Sequence, residues 1–250
     1  LQYIPSFPLD ITIAAYYLKE TKCSYSKYLD YIRKNSEEFI KIQKVFLESI
    51  GDYVKTRYGI ITLSLKHLID SSPDFKDLLF FMSLLDSQNI PKKLLNKYKS
   101  ELVVDDFIYN LKRYSLITNE FSGDYNTIPS ISIHRSTQHI SLCYLSQAEE
   151  LKSNLPLLQQ ISMTLANFIA EIGDTKDTAS IKLLLNHGNQ FLSHRNILTD
   201  HNVGVVGNEL GIIYFYMGDF VKAVNLFEET YQIFKNNPNE QVRAAKIGRA

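Results

Sequence analysis

Apolar residues recur at helical spacing along most of the chain, so the pattern predicts a mainly α-helical fold. The first helix is predicted over Leu9 to Lys19, with Pro8 in a favoured helix-start position. Ser24 is expected to cap a second helix and Ser36 a third. The apolar faces of these three predicted helices are Leu9, Ile13, Ala14, Tyr17 and Leu18; Tyr25, Tyr28, Leu29 and Ile32; and Phe39, Ile42 and Phe46.

The middle of the chain changes from helical spacing to strand spacing. Ser72-Pro73-Asp74 predicts the start of a strongly apolar helix, Asn89-Ile90-Pro91 the start of a short one, and Asp105-Asp106 the start of a third. The pattern then alternates at period two over residues 114–118 and 131–134, as in a loose hairpin. Alternation places Ile131 and Ile133 on the buried face and Ser132 and His134 on the other. Helices followed by a two-stranded ribbon are the order of a winged helix.

Helical spacing returns after the ribbon and suggests a repeat. Two long apolar stripes are Leu158, Ile161, Leu165, Phe168, Ile169 and Ile172, and Ile181, Leu184, Leu185, Gly188, Phe191 and Leu192. Small residues then predict two antiparallel helices that cross closely, with Gly218-Asp219 at the turn. The positions that carry this pattern are Leu210, Gly211, Tyr214, Gly218, Ala223 and Phe227. A second copy is predicted from Val242, as in a helical solenoid.

Composition supports a folded and mostly helical protein. The 250 residues include 27 basic and 27 acidic side chains and are 45% hydrophobic, which excludes a disordered tail and a polybasic arm. Ten glycines and seven prolines are too few for an all-β fold with frequent turns. Two widely separated cysteines, Cys23 and Cys143, suit a reducing compartment, and no apolar run is long enough to span a bilayer. We therefore expect a cytoplasmic protein without a membrane partner, and we interpret the chain, which starts at Leu1, as a piece of a longer polypeptide.

The sequence offers few candidates for catalysis or metal binding. It contains no GxxxxGK[ST], GxGxxG, HExxH or GxSxG motif, so we expect no catalytic residue and no metal site. His139 and Cys143 can share a helix face, but a surface histidine beside a buried thiol is the favoured interpretation. His187 and His194 are about two helical turns, roughly 10 Å, apart and are expected on the surface.

Two sets of side chains bear on binding. A winged helix raises the possibility of DNA binding, but the helix that would enter the groove begins with Asp105-Asp106 and offers only Lys112 and Arg113 at its far end. We therefore expect no nucleic-acid partner.

His134 is followed by Arg135, so an imidazole and a guanidinium can both reach an anion.

Several segments together resemble NB-ARC nucleotide-binding switch proteins that carry tetratricopeptide repeats. Ser6-Phe7-Pro8-Leu9 is similar to the Gly-Leu-Pro-Leu motif of their first helical subdomain, and residues 64–117 resemble their winged-helix subdomain. The stretch Ile131-Ser132-Ile133-His134-Arg135 is similar to the one that stands in for their Met-His-Asp motif. The repeat positions given above resemble a tetratricopeptide repeat of the kinesin-light-chain type.

The resemblance implies a domain organisation and a role. It implies a helical subdomain over 1–55, a winged helix over 56–150, a helical linker or repeat-like pair over 151–200 and a tetratricopeptide repeat over 201–250. Pro8 would pack near the adenine of ADP and His134 would contact its β-phosphate, with Arg135 beside it. The phosphate-binding loop and the Walker B carboxylate would lie before Leu1, in a nucleotide-binding domain of the same polypeptide. ADP or ATP is therefore expected only in that longer protein, and the chain itself is expected to be no enzyme.

The leading hypothesis is thus the regulatory and protein-interaction portion of a signal-transduction ATPase, with repeats that bind a protein or peptide. One alternative is a tetratricopeptide scaffold for protein interaction without a nucleotide role. The other, less favoured, is a winged-helix DNA-binding regulator.

Overall fold

The structure, a computed structural model, describes residues 8–42, 52–121, 129–147, 155–175 and 177–235. These residues form eleven helices and a few short strands, which confirms the predicted mainly α fold with its small β-hairpin. The predicted second repeat copy, from Val242, lies outside the described residues.

The elements fall into two compact units, which are described separately. The N-terminal unit contains α1 (Pro8–Thr21), α2 (Tyr25–Ile42), α3 (Asp52–Ser71), α4 (Pro73–Ser83), α6 (Glu101–Arg113), β2 (Ile117–Phe121), most of β3 (Ser130–Ile133) and α7 (Arg135–Gln147). The C-terminal unit contains β1 (Ile90–Pro91), α5 (Lys92–Tyr98), α8 (Leu155–Thr175), α9 (Thr178–Ser193), α10 (Asp200–Tyr216) and α11 (Phe220–Lys235). The domain limits inferred from the resemblance stay a prediction.

Helix α3 is the centre of the N-terminal unit, where it packs against α1, α2, α4 and α7. Its residues Ile60, Ile61 and Leu65 are fully buried, as apolar positions facing several neighbours should be. The apolar side chains of α4, from Phe75 to Met82, are buried, and the Phe75 ring lies 5.3 Å from the Phe107 ring of α6. The unit therefore has an aromatic core of its own.

Several element boundaries in this half of the chain differ from the sequence predictions, and strand β2 begins at Ile117 and not at Tyr114. Ser36 lies inside α2, which runs on to Ile42 because no glycine or proline interrupts it. No separate helix therefore begins at Ser36, and Phe46 of the predicted third helix lies outside the described residues. Helix α6 begins at Glu101, after Ser100 in extended conformation, and not at Asp105. Ile90 and Pro91 form a short strand, and helix α5 begins only at Lys92.

The ribbon was predicted to have one buried and one exposed face, and this is wrong for one residue. All four residues of β3 are buried, including Ser132. Strand β2 lies beside β3, where the Thr118 hydroxyl donates to the Ser132 carbonyl at 3.2 Å. Helix α7 follows the strand directly and packs against α3 and α4.

Helix α10 is the centre of the C-terminal unit and packs against α8, α9 and α11. The predicted stripes of α8 and α9 are both buried. Thr199 caps α10 with a reciprocal pair of hydrogen bonds to Asn202, whose amide also donates to the Ser162 hydroxyl of α8 at 3.0 Å. This hydrogen bond ties the buried side of α10 to α8.

Helices α10 and α11 form the close antiparallel hairpin that the sequence predicts. A Cβ atom on Gly211 would lie 2.7 Å from the Phe227 ring, and one on Gly204 would lie 2.6 Å from the Phe234 ring. Only glycine permits so close an approach of ring and backbone at these two positions. Gly218 turns the chain with a φ of 81°, in the left-handed region that glycine adopts without strain.

Candidate functional site

His134 lies at the junction between β3 and α7. The strand ends at Ile133 and the helix begins at Arg135. The backbone N–H of Gln138 donates to the His134 carbonyl at 2.9 Å, so His134 occupies the position that precedes the first helical residue. Its side chain is therefore held at the amino-terminal end of a helix, where the unpaired N–H groups and the helix dipole favour negative charge.

The hydrogen bonds of the His134 ring fix its tautomer. The backbone N–H of Ser136 donates to Nδ1 at 3.3 Å, and the Ser136 hydroxyl lies 2.6 Å from the same atom. A backbone N–H can only donate, so Nδ1 is the acceptor and the neutral ring carries its proton on Nε2. The half-buried imidazole thus has an N–H donor on the side away from Ser136.

Two charged side chains from α1 and α3 act on this ring. Burial lowers the pKa of His134, the positive charge of Arg57 lowers it further, and the negative charge of Asp10 opposes both. Asp10 and Arg57 form an ion pair at 3.1 Å, with side-chain exposures of 0% and 14%. The net lowering favours the neutral, single-donor imidazole at neutral pH.

The start of α1 acts on the His134 ring through the charge of Asp10. Asp10, whose carboxylate acts on His134, lies two residues after Pro8, which is the first residue of α1 and is exposed. Arg135 is exposed at the first position of α7. Ser6 and Phe7 of the proposed motif lie outside the described residues.

The sequence analysis missed Asp10 and Arg57. Asp10 had a signal, because it occupies the same helical stripe as the buried Ile13, Ala14 and Tyr17. An acidic residue at a core position requires a cationic or hydrogen-bonding partner. Arg57 had no such signal, since its role depends on a contact across 47 residues of chain.

The histidine and cysteine of α7 lie close together but gather no further ligands. The Cys143 sulfur is 3.6 Å from Nε2 of His139, with His139 exposed and Cys143 half-buried. Neither cysteine is in a disulfide. Over the described part of the chain, no group of three or more histidine, cysteine or acidic side chains could hold a metal ion.

His187 was predicted on the surface, and this prediction is wrong. Its side chain is fully buried in the C-terminal unit, on the same stripe of α9 as Leu184, Gly188 and Phe191. The backbone N–H of Asp86 donates to Nδ1 at 3.2 Å, and Nε2 lies 3.2 Å from the Asn89 carbonyl. These two bonds let the ring be buried without an unsatisfied polar atom. His194, at the end of α9, is half-buried.

The residues picked as repeat positions serve the α10–α11 hairpin. Leu210, Tyr214 and Ala223 are buried, Gly211 faces Phe227, and Gly218 forms the turn. Helices α8 and α9 precede this hairpin and pack on α10, so the unit consists of stacked helices. Its outer surface includes exposed apolar residues of α10 and α11.

The surface of α6 bears on nucleic-acid binding. Asp105 and Asp106 are exposed, and so are the apolar side chains Leu102 and Tyr109. An acidic and apolar face of this kind opposes binding to phosphates.

Comparison with protein-family models, with curated proteins and with solved structures found no match to this chain. Among the helices that the structure describes, none has the length and apolar character needed to cross a membrane.

Proposed function

We propose that this chain is the regulatory and protein-interaction portion of a cytoplasmic signal-transduction ATPase of the NB-ARC type. In this proposal His134 senses the β-phosphate of ADP held by a nucleotide-binding domain of the same polypeptide. The stacked helices of the C-terminal unit bind a protein or peptide partner. The observation that carries the proposal is the fixed Nε2–H donor of His134 at the amino-terminal end of α7.

The residues around His134 fit an anionic group. A neutral imidazole with its proton on Nε2 donates one hydrogen bond to a phosphate oxygen, and the helix dipole of α7 adds a favourable field. Arg135 is exposed next to it and supplies a full positive charge. Pro8 is exposed at the start of α1, available to pack against an adenine, as the resemblance implies.

The strength of this contact suits a switch. A hydrogen bond to a charged group contributes about 1.5 to 3 kcal/mol, which changes an equilibrium roughly 10- to 150-fold. Such a bias selects one arrangement of a two-state protein without locking it. Loss of the His134 contact would therefore release the N-terminal unit from the nucleotide-binding domain.

The direct test uses a longer polypeptide that includes the proposed nucleotide-binding domain. His134→Ala should lower the amount of ADP that co-purifies with the protein, measured by chromatography after denaturation. His139→Ala, on an exposed histidine of the helix that follows His134, should leave that amount unchanged. Equal ADP content in both variants and the parent would contradict the sensing role.

A second test needs only this chain. Pyrophosphate should raise the pKa of His134, followed by NMR, because a bound anion stabilises the protonated ring. A His134 titration that does not respond to pyrophosphate, while the longer protein loses no ADP in His134→Ala, would refute the proposal.

The alternative of a protein-interaction scaffold without a nucleotide role is favoured by one observation. The α10–α11 hairpin uses Gly204 and Gly211 for close packing, and its outer surface remains rich in exposed aromatic side chains. Partner capture by the whole chain that His134→Ala leaves unchanged, together with normal ADP content in the longer protein carrying His134→Ala, would favour this alternative.

A further inference from the structure

A cavity of about 660 Å³ lies within the C-terminal unit where three helices end. Its wall comes from the last residues of α8, the first turns of α9 and the end of α10 with its cap. The volume falls in the range of cavities that bind ligands. The cavity therefore has room for a side chain and part of the backbone of a second molecule.

The wall is largely apolar and carries one ionisable carboxylate. Ile181 and Ile213 face the cavity from α9 and α10, and Met217 and Tyr216 extend the wall to the surface. Asp174, at the end of α8, is exposed and is the only acidic residue among the described ones that line it. No basic side chain is among those lining residues.

Helix geometry adds to the negative field. Helices α8 and α10 both direct their carboxyl-terminal ends to the cavity, where the helix dipole is negative. Helix α9 presents its positive end, but Asp177 caps it by accepting the Ala179 N–H at 3.1 Å. Hydrogen bonds from Ser180 and Ala179 lower the pKa of Asp177, so this carboxylate is ionised at neutral pH.

Lys222, in the first turn of α11, does not cancel this field. Lys222 pairs with Asp219 at 2.9 Å, and its Nζ lies 5.0 Å from the centre of the Tyr214 ring. The pair is neutral as a whole. Among the described side chains and helix ends at the cavity, the balance of charge thus favours a cation.

An aromatic cluster adjoins the mouth of the cavity. The Phe215 ring is 6.0 Å from that of Tyr216 and 5.5 Å from that of Phe220. All three side chains are exposed, Tyr216 to 81%. Contiguous exposed apolar side chains of this kind mark interaction sites, and an aromatic face also attracts a cation.

We propose that this cavity binds an arginine or lysine side chain of a partner polypeptide whose neighbouring apolar residues pack on Phe215, Tyr216 and Phe220. The aliphatic stem of the basic side chain lies along Ile181 and Ile213, and its charged end reaches Asp174. This inference rests on the partner-binding role proposed for the C-terminal unit. It adds the location of the site and the chemistry of the segment.

The test uses two acetylated and amidated hexapeptides, Leu-Arg-Phe-Leu-Arg-Leu and Leu-Glu-Phe-Leu-Glu-Leu, with the whole chain. Binding is followed by fluorescence anisotropy of labelled peptides, and its location by backbone NMR shifts. The basic peptide should bind more tightly than the acidic one and shift the signals of Gly173, Thr178 and Met217. Asp174→Asn should lower the affinity for the basic peptide about fivefold. Asp200→Asn, which removes a charge at the opposite end of α10, should leave that affinity unchanged.

A second variant fills the cavity without removing a charge. A Cβ on Gly173 would lie 3.5 Å from Ile213, an ordinary contact, so the rest of a leucine side chain occupies the cavity. Gly173→Leu should therefore abolish binding of the basic peptide while circular dichroism stays that of the parent.

The outcomes separate this inference from the proposed function. Equal affinity for the two peptides, or full affinity in both Asp174→Asn and Gly173→Leu, would overturn the cavity assignment. If signals shift only elsewhere on the C-terminal unit, the cavity assignment fails and the partner-binding role stands. If neither peptide binds and the unmodified chain dimerises through Phe220, shown by a monomeric Phe220→Glu variant, the aromatic cluster is a self-association surface and the inference is wrong.

Discussion

His187 accepts a hydrogen bond at Nδ1 from the backbone N–H of Asp86, which lies 101 positions earlier in the chain. Its Nε2 donates to the carbonyl of Asn89, a residue in the left-handed region with a φ of 53°. The two bonds hold the segment before α5 against α9 and require the neutral ring. The C-terminal unit therefore depends on the protonation state of one buried histidine.

This dependence predicts a loss of stability in mild acid. Burial lowers the pKa of His187 below its ordinary value of 6.5, which the hydrogen bond to Asn89 and the charge of Asp86 only partly oppose. The unfolded chain thus takes up the proton at a higher pH than the folded chain. The contribution of the neutral ring is fully present above pH 6.5 and decreases as the pH falls toward the folded pKa.

The measurement compares urea unfolding of the parent and His187→Leu at pH 7.5 and 5.5. At pH 7.5 the free energy of unfolding of the variant should be about 2 to 4 kcal/mol lower than that of the parent, because the substitution leaves the Asp86 N–H and the Asn89 carbonyl without their His187 partner. The variant should lose less unfolding free energy at pH 5.5, because the neutral ring stabilises the parent less at that pH. His139→Gln, an exposed histidine, serves as the control and should differ little from the parent at both values. An equal loss for His187→Leu at both values would contradict the linkage.

A matched pair of glycine substitutions tests the packing of α10. Gly211→Ala should destabilise the protein by about 1 to 3 kcal/mol, because the new Cβ would lie 2.7 Å from the Phe227 ring. Gly173→Ala is also within a helix, but its Cβ would meet Ile213 at an ordinary 3.5 Å. It should stabilise the protein by up to about 1 kcal/mol through helix propensity. Thermal unfolding checks both signs, and a stabilising Gly211→Ala would show that the hairpin is loosely packed.

Sequence periodicity predicted the parts of the fold that depend on local patterns. The stripes of α8 and α9 and the turn at Gly218 were found where expected, because burial of one helix face dictates apolar spacing. The start of α6 was missed because Asp105-Asp106 resembles a helix start, while Ser100 caps the backbone without a side-chain bond.

Polar side chains inside the apolar stripes were the residues that sequence reasoning failed to interpret. Asp10 and His187 both occupy core positions of their helices, and this spacing is visible in the sequence. Their partners are not visible, because Arg57 and Asp86 reach them only through the tertiary fold. The position of His134 at a strand–helix junction was predictable, whereas its tautomer depends on hydrogen-bond geometry with Ser136.

Two lysines of α5 form ion pairs with Glu171 of α8, and these pairs should set the pKa of that carboxyl. Hydrogen bonds from Lys93 and Lys97, at 2.7 and 2.9 Å, lower the pKa of Glu171 to about 2. Its side chain is 39% exposed, so screening by salt should reduce the shift. In low salt NMR should find a pKa well below 4.5, and 0.5 M sodium chloride or the double change Lys93→Gln, Lys97→Gln should raise it toward that value.

The effect of Glu171 on stability should be small in spite of the large shift. The pKa of Glu171 is lower in the folded chain than in the unfolded chain, so its ionised form stabilises the fold at pH values above the unfolded pKa, near 4.5. This stabilisation is lost as the pH falls. Exposed ion pairs contribute less than about 1 kcal/mol, so Glu171→Gln should change the free energy of unfolding by no more than that at pH 7. A loss of several kcal/mol would show that the α5–α8 contact depends on these charges.

Ser136 provides a test of the hydrogen bonds that prepare His134 for an anion. Its hydroxyl stabilises the neutral ring by donating to Nδ1, so Ser136→Ala should raise the pKa of His134 and increase the fraction of the other tautomer. Nitrogen-15 NMR of the imidazole measures both quantities. Ser146→Ala removes a hydroxyl whose bond goes to the Cys143 carbonyl on the same helix, and it should leave the His134 ring unchanged. Because an Nε2–H donor is what the proposed phosphate contact requires, Ser136→Ala should also weaken the response of His134 to pyrophosphate, and an undiminished response would mean that the serine does not position the ring.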